Sequence, residues 1–416
     1  MAVMPEEKNY FVLKRQVLDL SKSCFAIVFL LIVLSCQEPA DEVSLSVSNP
    51  SNFARNNETI VIPSSSFKEI LKEYNFNQIF LREKTSGENI LMQTLDDDLD
   101  GEPDEILFQA DFGVNEVKYF TLYGSTDTTV LQPSEHLTTF SRFVPERTDD
   151  YAWENDRVAF RTYGPVAQQL IEEGKPGGTL SSGMDAWLKR VDYPIIDKWY
   201  RKHLERNGAY HIDEGEGYDP YHVGASRGVG GIGVWQHDSL YVSKNFSAYR
   251  TIATGPVRTV FELDYPTWDA NGVAIHEKKR ISLDLGSNLS RYEVTVKEEV
   301  PNLTVGLTMH DKSGVVGIDS AQGWFSYWEP MDGSELGVGV VMEPGYRFTF
   351  KNHQVSATDQ SHLLFVTEPT NNQIVYYAGF GWKKSKQFHS REAWETYLSH
   401  FAKRLQEPLE VNFLKR

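Results

Sequence analysis

The segment 210–231 carries the residue types that acid–base chemistry requires. His211 and His222 lie among tyrosines, carboxylates and an arginine, and glycines separate many of them. Histidine exchanges a proton near neutral pH without a large change in pKa, and glycine allows a backbone to approach a ligand closely. The segment therefore predicts a site whose catalytic candidates are His211, Tyr218, His222 and Arg227. Each histidine, taken alone, is equally compatible with an ordinary surface or core position.

A second group of residues could contact a substrate. Trp153 offers a ring for stacking, and Arg157 and Arg161 share one side of a strand if that strand is regular, so that one of them could face a pocket. Lys198 adds a cation, and His310 follows a strand-like run and is the alternative base. Each cation alone is more typical of a solvated surface, so the prediction rests on the set.

An acidic loop has the spacing of a calcium site. Its carboxylates occupy positions one, three, five and nine of the loop, with Gly101 at position six: Asp96, Asp98, Asp100 and Asp104. Calcium takes six to eight oxygen ligands, and a glycine allows the sharp turn that makes alternate residues converge. Position twelve is Leu107, so the bidentate glutamate of an EF-hand is missing. We expect a structural Ca²⁺ here; the alternative is a solvated acidic turn.

The N-terminus predicts export and lipidation. Lys14, Arg15 and Lys22 precede an apolar run at 25–34, the charged-then-apolar order of a secretory signal. The run is shorter than the stretch needed to span a hydrocarbon core of roughly 30 Å. It ends beside Cys36, in a sequence typical of a lipobox, and the alternative is an ordinary signal peptide with a chance cysteine. We expect a lipid-anchored protein of the cell envelope, on the periplasmic face or the outer-membrane surface.

The pattern along the chain predicts four regions. Residues 1–35 form the signal peptide and 36–56 a polar tether. Residues 57–145 form a small β-rich N-terminal unit that contains the calcium loop. Residues 146–416 form a large β-sandwich that holds the catalytic segment.

The larger region is predicted to be mostly β, as an antiparallel sandwich. Short runs such as 257–263 and 291–296 alternate apolar with polar residues, which is typical of antiparallel strands with one buried face. Near the end, Trp394, Leu398 and Leu405 recur at helical spacing. We therefore expect a C-terminal amphipathic helix packed on a sheet.

Charge and composition narrow the class of partner. The formal net charge is −17, which argues against nucleic acid because phosphate binding needs a basic surface. Many of the 9 Trp, 20 Tyr and 23 Phe are expected in the core, but exposed rings also serve as stacking platforms for sugars, so the aromatic content favours a carbohydrate partner. An anionic ligand would need a local cluster of arginine and lysine. Composition does not predict the oligomeric state.

Several stretches resemble a family of exported bacterial proteins catalogued as a domain of unknown function. They are 153–161, 211–231, 255–262 and 379–382, and the resemblance extends over nearly all of the mature chain. Members occur in polysaccharide-degradation gene clusters, and one branch is an oligosaccharide dehydratase of ulvan breakdown. The strand pattern of 255–300 also resembles the supersandwich of galactose-mutarotase-like proteins, which is a likeness of fold only.

The resemblance implies a reaction on an anionic, uronic-acid-containing oligosaccharide. Water would be removed across C4–C5 of the sugar at the non-reducing end, leaving a 4,5-unsaturated uronic acid. This elimination needs a cation at the carboxylate, a base for H5 and an acid for the C4 hydroxyl. Arg227 or Arg157 fits the first role, His211 the second, and Tyr218 or His222 the third. The alternatives are a lyase, epimerase or hydrolase on the same sugars, and a glycan-binding lipoprotein without catalysis.

Overall fold

A computed structural model describes residues 42–133 and 136–414. The predicted signal peptide and Cys36 lie outside the described residues. Within them the chain is mostly β, every pairing between named strands is antiparallel, and four α-helices are present. The prediction of an antiparallel β-sandwich with a C-terminal helix is confirmed. No helix of this described part is long and apolar enough to cross a membrane.

The N-terminal unit is a small sandwich of two sheets. The five-stranded sheet has the order β28-β1-β7-β3-β4, and the three-stranded sheet the order β2-β6-β5. Their bounds are Glu42–Ser48 (β1), Arg55–Pro63 (β2), Ile79–Glu83 (β3), Asn89–Ile90 (β4), Met92–Leu95 (β5), Glu105–Phe112 (β6), Val117–Gly124 (β7) and Glu410–Phe413 (β28). Alternation along β1 explains the packing. Leu45 and Val47 are buried in the core with Phe108 and Phe120, while the serines that alternate with them along the strand are half-buried.

Two predicted boundaries need correction. Residues 42–48, assigned above to the tether 36–56, form β1, whose seven residues all pair with β7. The unit predicted as 57–145 also ends too late, because its last strand, Phe140–Val144, belongs to another sheet. Local polarity misplaced the first boundary, since four of the seven residues of β1 are serine or glutamate and only pairing makes it a strand.

A third sheet, with the order β12-β11-β10-β9-β8, lies beneath the candidate site, and we call it the platform sheet. Its bounds are Phe140–Val144 (β8), Asp150–Glu154 (β9), Ala159–Thr162 (β10), Asp185–Lys189 (β11) and Gly217–Tyr218 (β12). Helices Lys68–Leu71 (α1), Pro165–Glu172 (α2) and Ile196–Glu205 (α3) precede the long C-terminal helix. Trp199 and Tyr200 of α3 pack on Trp187 of β11, which anchors that helix to the sheet.

The main sandwich consists of two sheets that enclose the largest core. The five-stranded sheet has the order β14-β13-β21-β26-β25 and the eight-stranded sheet the order β15-β16-β19-β20-β27-β24-β23-β22. Their bounds are Val229–Gln236 (β13), Ser239–Tyr241 (β14), Ala248–Ala253 (β15), Arg258–Asp264 (β16), Glu277–Asp284 (β19), Leu289–Val296 (β20), Leu303–Thr308 (β21), Val315–Asp319 (β22), Trp324–Met331 (β23), Ser334–Met342 (β24), Phe348–His353 (β25), His362–Thr367 (β26) and Gln373–Trp382 (β27). Trp268–Ala270 (β17) and Val273–Ile275 (β18) form a hairpin beside them.

Helix Arg391–Gln406 (α4) covers the outer face of the eight-stranded sheet. The Ser390 side chain caps it by accepting a hydrogen bond from the Ala393 amide. Trp394, Leu398 and Ala402 are buried against this sheet, as the helical spacing predicted. Four short 3-10 turns complete the described structure: Ser64–Ser66, Phe76–Gln78, Ala209–His211 and Lys383–Ser385.

Candidate functional site

A cleft of about 460 Å³ opens above the platform sheet. Its walls come from β10, the segment after α2, the turn Ala209–His211 and the loop that follows β12. The lining includes the following polar and aromatic residues: Arg147, Arg161, Tyr163, Thr179, His211, Asp219, Tyr221 and His222. The cleft thus unites two histidines of the predicted catalytic segment with Arg161 of the predicted binding set.

Arg161 lies at the centre of a buried ionic cluster at the base of the cleft. It pairs directly across the strand ladder with Asp185, so both side chains lie on one face of the sheet. Its Nη2 donates to Asp185 Oδ2 at 2.6 Å and to Asp219 Oδ2 at 2.8 Å, and Nη1 lies 3.6 Å from Asp150 Oδ2. Three carboxylates therefore surround this guanidinium. Arg147, whose Nη1 lies 3.7 Å from Asp150 Oδ1, is a second cation that only partly balances these carboxylates.

Four buried polar atoms of this cluster have no hydrogen-bond partner among the described residues. They are Arg161 Nη1 and one carboxylate oxygen each of Asp150, Asp185 and Asp219. Buried polar groups in proteins are almost always satisfied, and exceptions concentrate at sites that bind or react. The three carboxylate oxygens have capacity to accept a further hydrogen bond, and Arg161 Nη1 has capacity to donate one.

Burial raises the pKa of two of these carboxyl groups. Burial raises the pKa of Asp150 to about 6, although Arg161 and Arg147 oppose the shift. Burial also raises the pKa of Asp219 well above its ordinary value, and the nearby Asp185 adds to this effect. Burial therefore disfavours the charged form of both carboxyl groups.

The ring of His211 is held through one of its two nitrogens. Its Nδ1 lies 2.7 Å from the backbone carbonyl oxygen of Asp219. A carbonyl can only accept, so Nδ1 carries the hydrogen and the neutral ring keeps a lone pair on Nε2. This Nε2 has no hydrogen-bond partner in the described part of the chain. The side chain is 54% exposed, and it lines the cleft.

His222 lies at the rim of the cleft and has a carboxylate partner. Its Nε2 lies 2.9 Å from Asp359 Oδ2, and its side chain is 67% exposed. Gly224 makes this approach feasible, because a Cβ there would lie 2.0 Å from Asp359 Oδ2 and its φ is +49°. An exposed histidine beside a carboxylate can donate a proton to a ligand and recover it from solvent.

His310 lies just behind this rim. Its Nε2 is 2.8 Å from the carbonyl of His222 and its Nδ1 is 2.7 Å from Glu329 Oε1. Burial alone would lower the pKa of His310, but the hydrogen bond and charge of Glu329 together raise it. Because both ring nitrogens already have hydrogen-bond partners, His310 is a poorer base than His211. Its contacts with the His222 carbonyl and the Tyr221 ring help to hold these two residues in place.

Three residues predicted to bind substrate lie elsewhere. Trp153 is completely buried between Phe160 and Phe261, so the prediction of a ring for sugar stacking is wrong. Arg157 precedes β10 and its guanidinium turns toward Asn288, away from the cleft. Lys198 projects from α3 and pairs with Glu216.

Two predicted catalytic residues also lie outside the cleft. The hydroxyl of Tyr218 donates to Asp332 at 2.7 Å, and burial raises the pKa of this phenol. Arg227 is buried to 1% exposure, where it donates to Ser182 Oγ and the Ile232 carbonyl, and burial lowers its pKa to about 10. It therefore holds the loop after β12 in place and cannot reach a substrate carboxylate.

Sequence reasoning missed residues of the cleft and of the ionic cluster at its base. Arg147 and Tyr163 of the cleft and Asp185 of the cluster lie outside the predicted segment, and Asp219 lies within it but was not singled out. Tyr163 is two residues after Arg161, so strand alternation was a usable signal for it. Asp185 is a neighbour only through the pairing of β10 with β11, and no local pattern indicates that pairing.

Three of the four carboxylates predicted for the acidic loop converge. Ligand atoms of Asp96, Asp98 and Asp104 lie within 4.8 Å of one another, whereas Asp100 accepts a hydrogen bond from the Glu102 amide. The turn uses positive φ at Gly101, +97°. Three hard oxygen donors around one point suit Ca²⁺, so the residues fit the expected ion.

Comparison with known proteins gives the family. Residues 47–411 match the family model described as "Domain of unknown function (DUF4861)". The chain is 46% identical over 380 residues to "Uncharacterized protein P7" of Formosa agariphila, covering 91% of this chain and 95% of that protein.

Solved structures resemble the chain more distantly. A protein in the Glycosyl Hydrolase Family 38 from Enterococcus faecalis aligns with a TM-score of 0.49 at 11% identity, over 91% of this chain and 48% of that one. An alpha-mannosidase from Enterococcus faecalis V583 aligns with a TM-score of 0.43 at 10% identity, over 91% and 46%. The chain thus spans about half the length of these structures. The extent of the family match and the 46% identity settle membership: the chain belongs to the DUF4861 family.

Proposed function

We propose that the protein is a carbohydrate-active dehydratase. It removes water across C4–C5 of the uronic acid at the non-reducing end of an ulvan-type oligosaccharide. The observation that carries the proposal is His211, whose tautomer is fixed by the Asp219 carbonyl and whose Nε2 lone pair remains available in the cleft. The resemblance noted in the sequence supports the substrate class.

The first step is removal of the proton at C5, which is α to the sugar carboxylate. This proton becomes acidic only when the carboxylate charge is neutralised. Arg147 lines the cleft with a side chain that is 16% exposed, and we assign the carboxylate to it. His211 Nε2 accepts the proton, and the electron pair of the C5–H bond begins the new double bond.

The second step is loss of the C4 hydroxyl. His222 donates a proton to this oxygen, the C4–O bond breaks, and water and the 4,5-unsaturated sugar result. His211 returns its proton to solvent and His222 is reprotonated, so the enzyme regains its initial state. Asp219, which also lines the cleft, can form a hydrogen bond with the bound sugar. Tyr163, whose hydroxyl donates to Asp185 at 3.3 Å, supports the cluster from below.

The remaining parts of the proposal concern location and stability. We infer a lipid anchor at Cys36 in the cell envelope and a structural Ca²⁺ in the acidic loop. Neither takes part in the reaction steps. The calcium loop is tied to the eight-stranded sheet through the contact between Asp97 and Arg280, so ion binding would stiffen the junction of the two units.

Ultraviolet absorbance of the conjugated double bond tests the function. Uronic-acid-terminated ulvan oligosaccharides are incubated with the protein, and chain length is followed by chromatography. Rising absorbance with unchanged chain length is the expected result. Rising absorbance with shortened chains would replace the dehydratase by a lyase, and retention of the glycan without absorbance would replace it by a binding protein.

A further inference from the structure

A second cavity lies where β2, the eight-stranded sheet and α4 meet, and we call it the interface cavity. Its volume is about 380 Å³. The catalytic proposal above makes no use of it. Four arginines line it, namely Arg55, Arg258, Arg291 and Arg404, against the two carboxylates Glu58 and Asp284. A cationic lining is unexpected in a chain whose net charge is −17.

The strand register explains why these cations converge. Arg258 of β16 lies opposite Asp284 of β19, and Arg291 of β20 lies opposite Tyr377 of β27. Both arginines therefore belong to the sheet face that α4 covers, and Arg404 reaches the same space from that helix. The N-terminal unit closes the cavity with Arg55 at the start of β2.

Three of the four guanidinium groups have close acidic partners. Arg258 forms a two-pronged pair with Asp284. Arg404 donates to Glu58 Oε1 at 2.9 Å, and Arg291 donates to Glu293 Oε2 at 3.0 Å, although Glu293 is not part of the lining. These pairs fix the geometry of the cavity without cancelling its positive character.

Arg55 is the exception. It is 2% exposed, and its nearest carboxylate is that of Glu58, whose Oε2 lies 4.0 Å from Arg55 Nη1. The other oxygen of this carboxylate, Oε1, accepts from Arg404. Its Nη2 donates to neutral acceptors, the Ser51 hydroxyl and the Glu407 carbonyl, and its Nε has no partner among the described residues. A buried guanidinium without a full counter-charge is costly, and a bound anion in the adjoining cavity would offset that cost.

We propose that the interface cavity binds an oxyanion, a sulfate, phosphate or carboxylate group, between the N-terminal unit and the sandwich. Guanidinium groups match the planar and tetrahedral oxygens of such groups. Tyr377 and Phe401, whose rings contact each other at 4.9 Å, provide an apolar wall for the rest of an organic ligand. The anion is either free or carried by a sugar.

Calorimetric titration with inorganic sulfate, at ionic strength held constant with chloride, tests the site. Wild-type protein should bind one sulfate saturably. Arg291→Gln, which removes a half-exposed cation from the rim, should weaken binding roughly tenfold or more, the usual effect of losing one charged hydrogen bond. Arg55→Gln should do the same; if that buried variant fails to fold, Arg291→Gln decides.

Two controls separate this site from other attractions. Arg201→Gln removes the same charge from the exposed surface of α3 and should leave sulfate affinity unchanged. His211→Ala should bind sulfate normally, because its change lies in the cleft. Absence of saturable binding, or equal weakening by Arg201→Gln, or loss of binding in His211→Ala, would overturn the proposal.

A competition experiment identifies the source of the anion. If glucuronate displaces sulfate and glucose does not, the anion is a carboxylate carried by a sugar. Failure of both sugars to displace bound sulfate indicates a free inorganic anion. Either result supports an oxyanion site, whereas displacement by glucose would overturn it, since a neutral sugar carries no oxyanion. All of these outcomes are independent of the elimination assay.

Discussion

Replacement of His211 by alanine provides the sharpest test of the proposed chemistry. Loss of a general base slows a reaction about 10²–10⁴-fold, which corresponds to about 3–5 kcal/mol of activation free energy. The structural cost should be much smaller. The side chain is 54% exposed and makes one hydrogen bond, to the Asp219 carbonyl, and one ring contact with Tyr210. Together these are worth about 1–2 kcal/mol of folding free energy.

The assay measures initial rates of double-bond formation beside a thermal unfolding curve. His211→Ala should lose at least a hundredfold in kcat, while its Tm falls by only a few degrees. Added imidazole should restore part of the rate, because the exposed position leaves room for a small base.

His203→Ala is the matched control for this change. His203 accepts a hydrogen bond from the Gly208 amide at 3.0 Å and stacks on Tyr210 at 4.3 Å, but it does not line the cleft. Its removal should cost similar stability and leave the rate unchanged. A rate for His211→Ala within tenfold of the wild type, or an equal loss in His203→Ala, would refute the assignment of the base.

Four further changes test other parts of the account. Arg147→Gln should raise KM for uronic-acid substrates about tenfold or more by removing one charged hydrogen bond; an unchanged KM in steady-state kinetics would move the carboxylate elsewhere. Because burial raises the folded-state pKa of Asp150 to about 6 from its ordinary 3.8, the contribution of this residue to stability should fall by about 3 kcal/mol as pH rises through this window. Urea unfolding of Asp150→Asn should lack that decline, and a parallel pH dependence would contradict it. Chelation should lower the Tm, as should Asp98→Ala with calcium present, whereas unchanged melting in both would leave a solvated turn. Cys36→Ser should release the protein from the membrane fraction, and retention there would exclude the lipid anchor.

Alternation and helical spacing were sufficient to predict the sandwich and α4, because both depend on neighbours along the chain. The cleft depends on contacts that no local pattern encodes. His211 and His222 were predicted from their segment, yet Tyr218 and Arg227 of that segment turn away, toward Asp332 and Ser182.

The same limit explains the errors in the binding set. Arg157 and Arg161 would share a side only if the strand extended through both, but β10 begins at Ala159. Trp153 is a core residue because Phe160 and Phe261 enclose it, and the second of these is more than a hundred positions away. An aromatic residue that stacks on a sugar and one that fills a core cannot be distinguished from the local sequence.

The pairing of β28 with β1 makes the N-terminal unit a discontinuous domain. Leu45 pairs with Phe413, so the edge of the first sheet is completed by residues that follow α4. Contacts between residues so far apart along the chain close late in folding, because their loop-closure entropy must be overcome first. Until then β1 presents an open edge that invites intermolecular pairing. A C-terminal truncation of only a few residues should therefore appear as aggregation of the N-terminal unit, far away in sequence from the deletion.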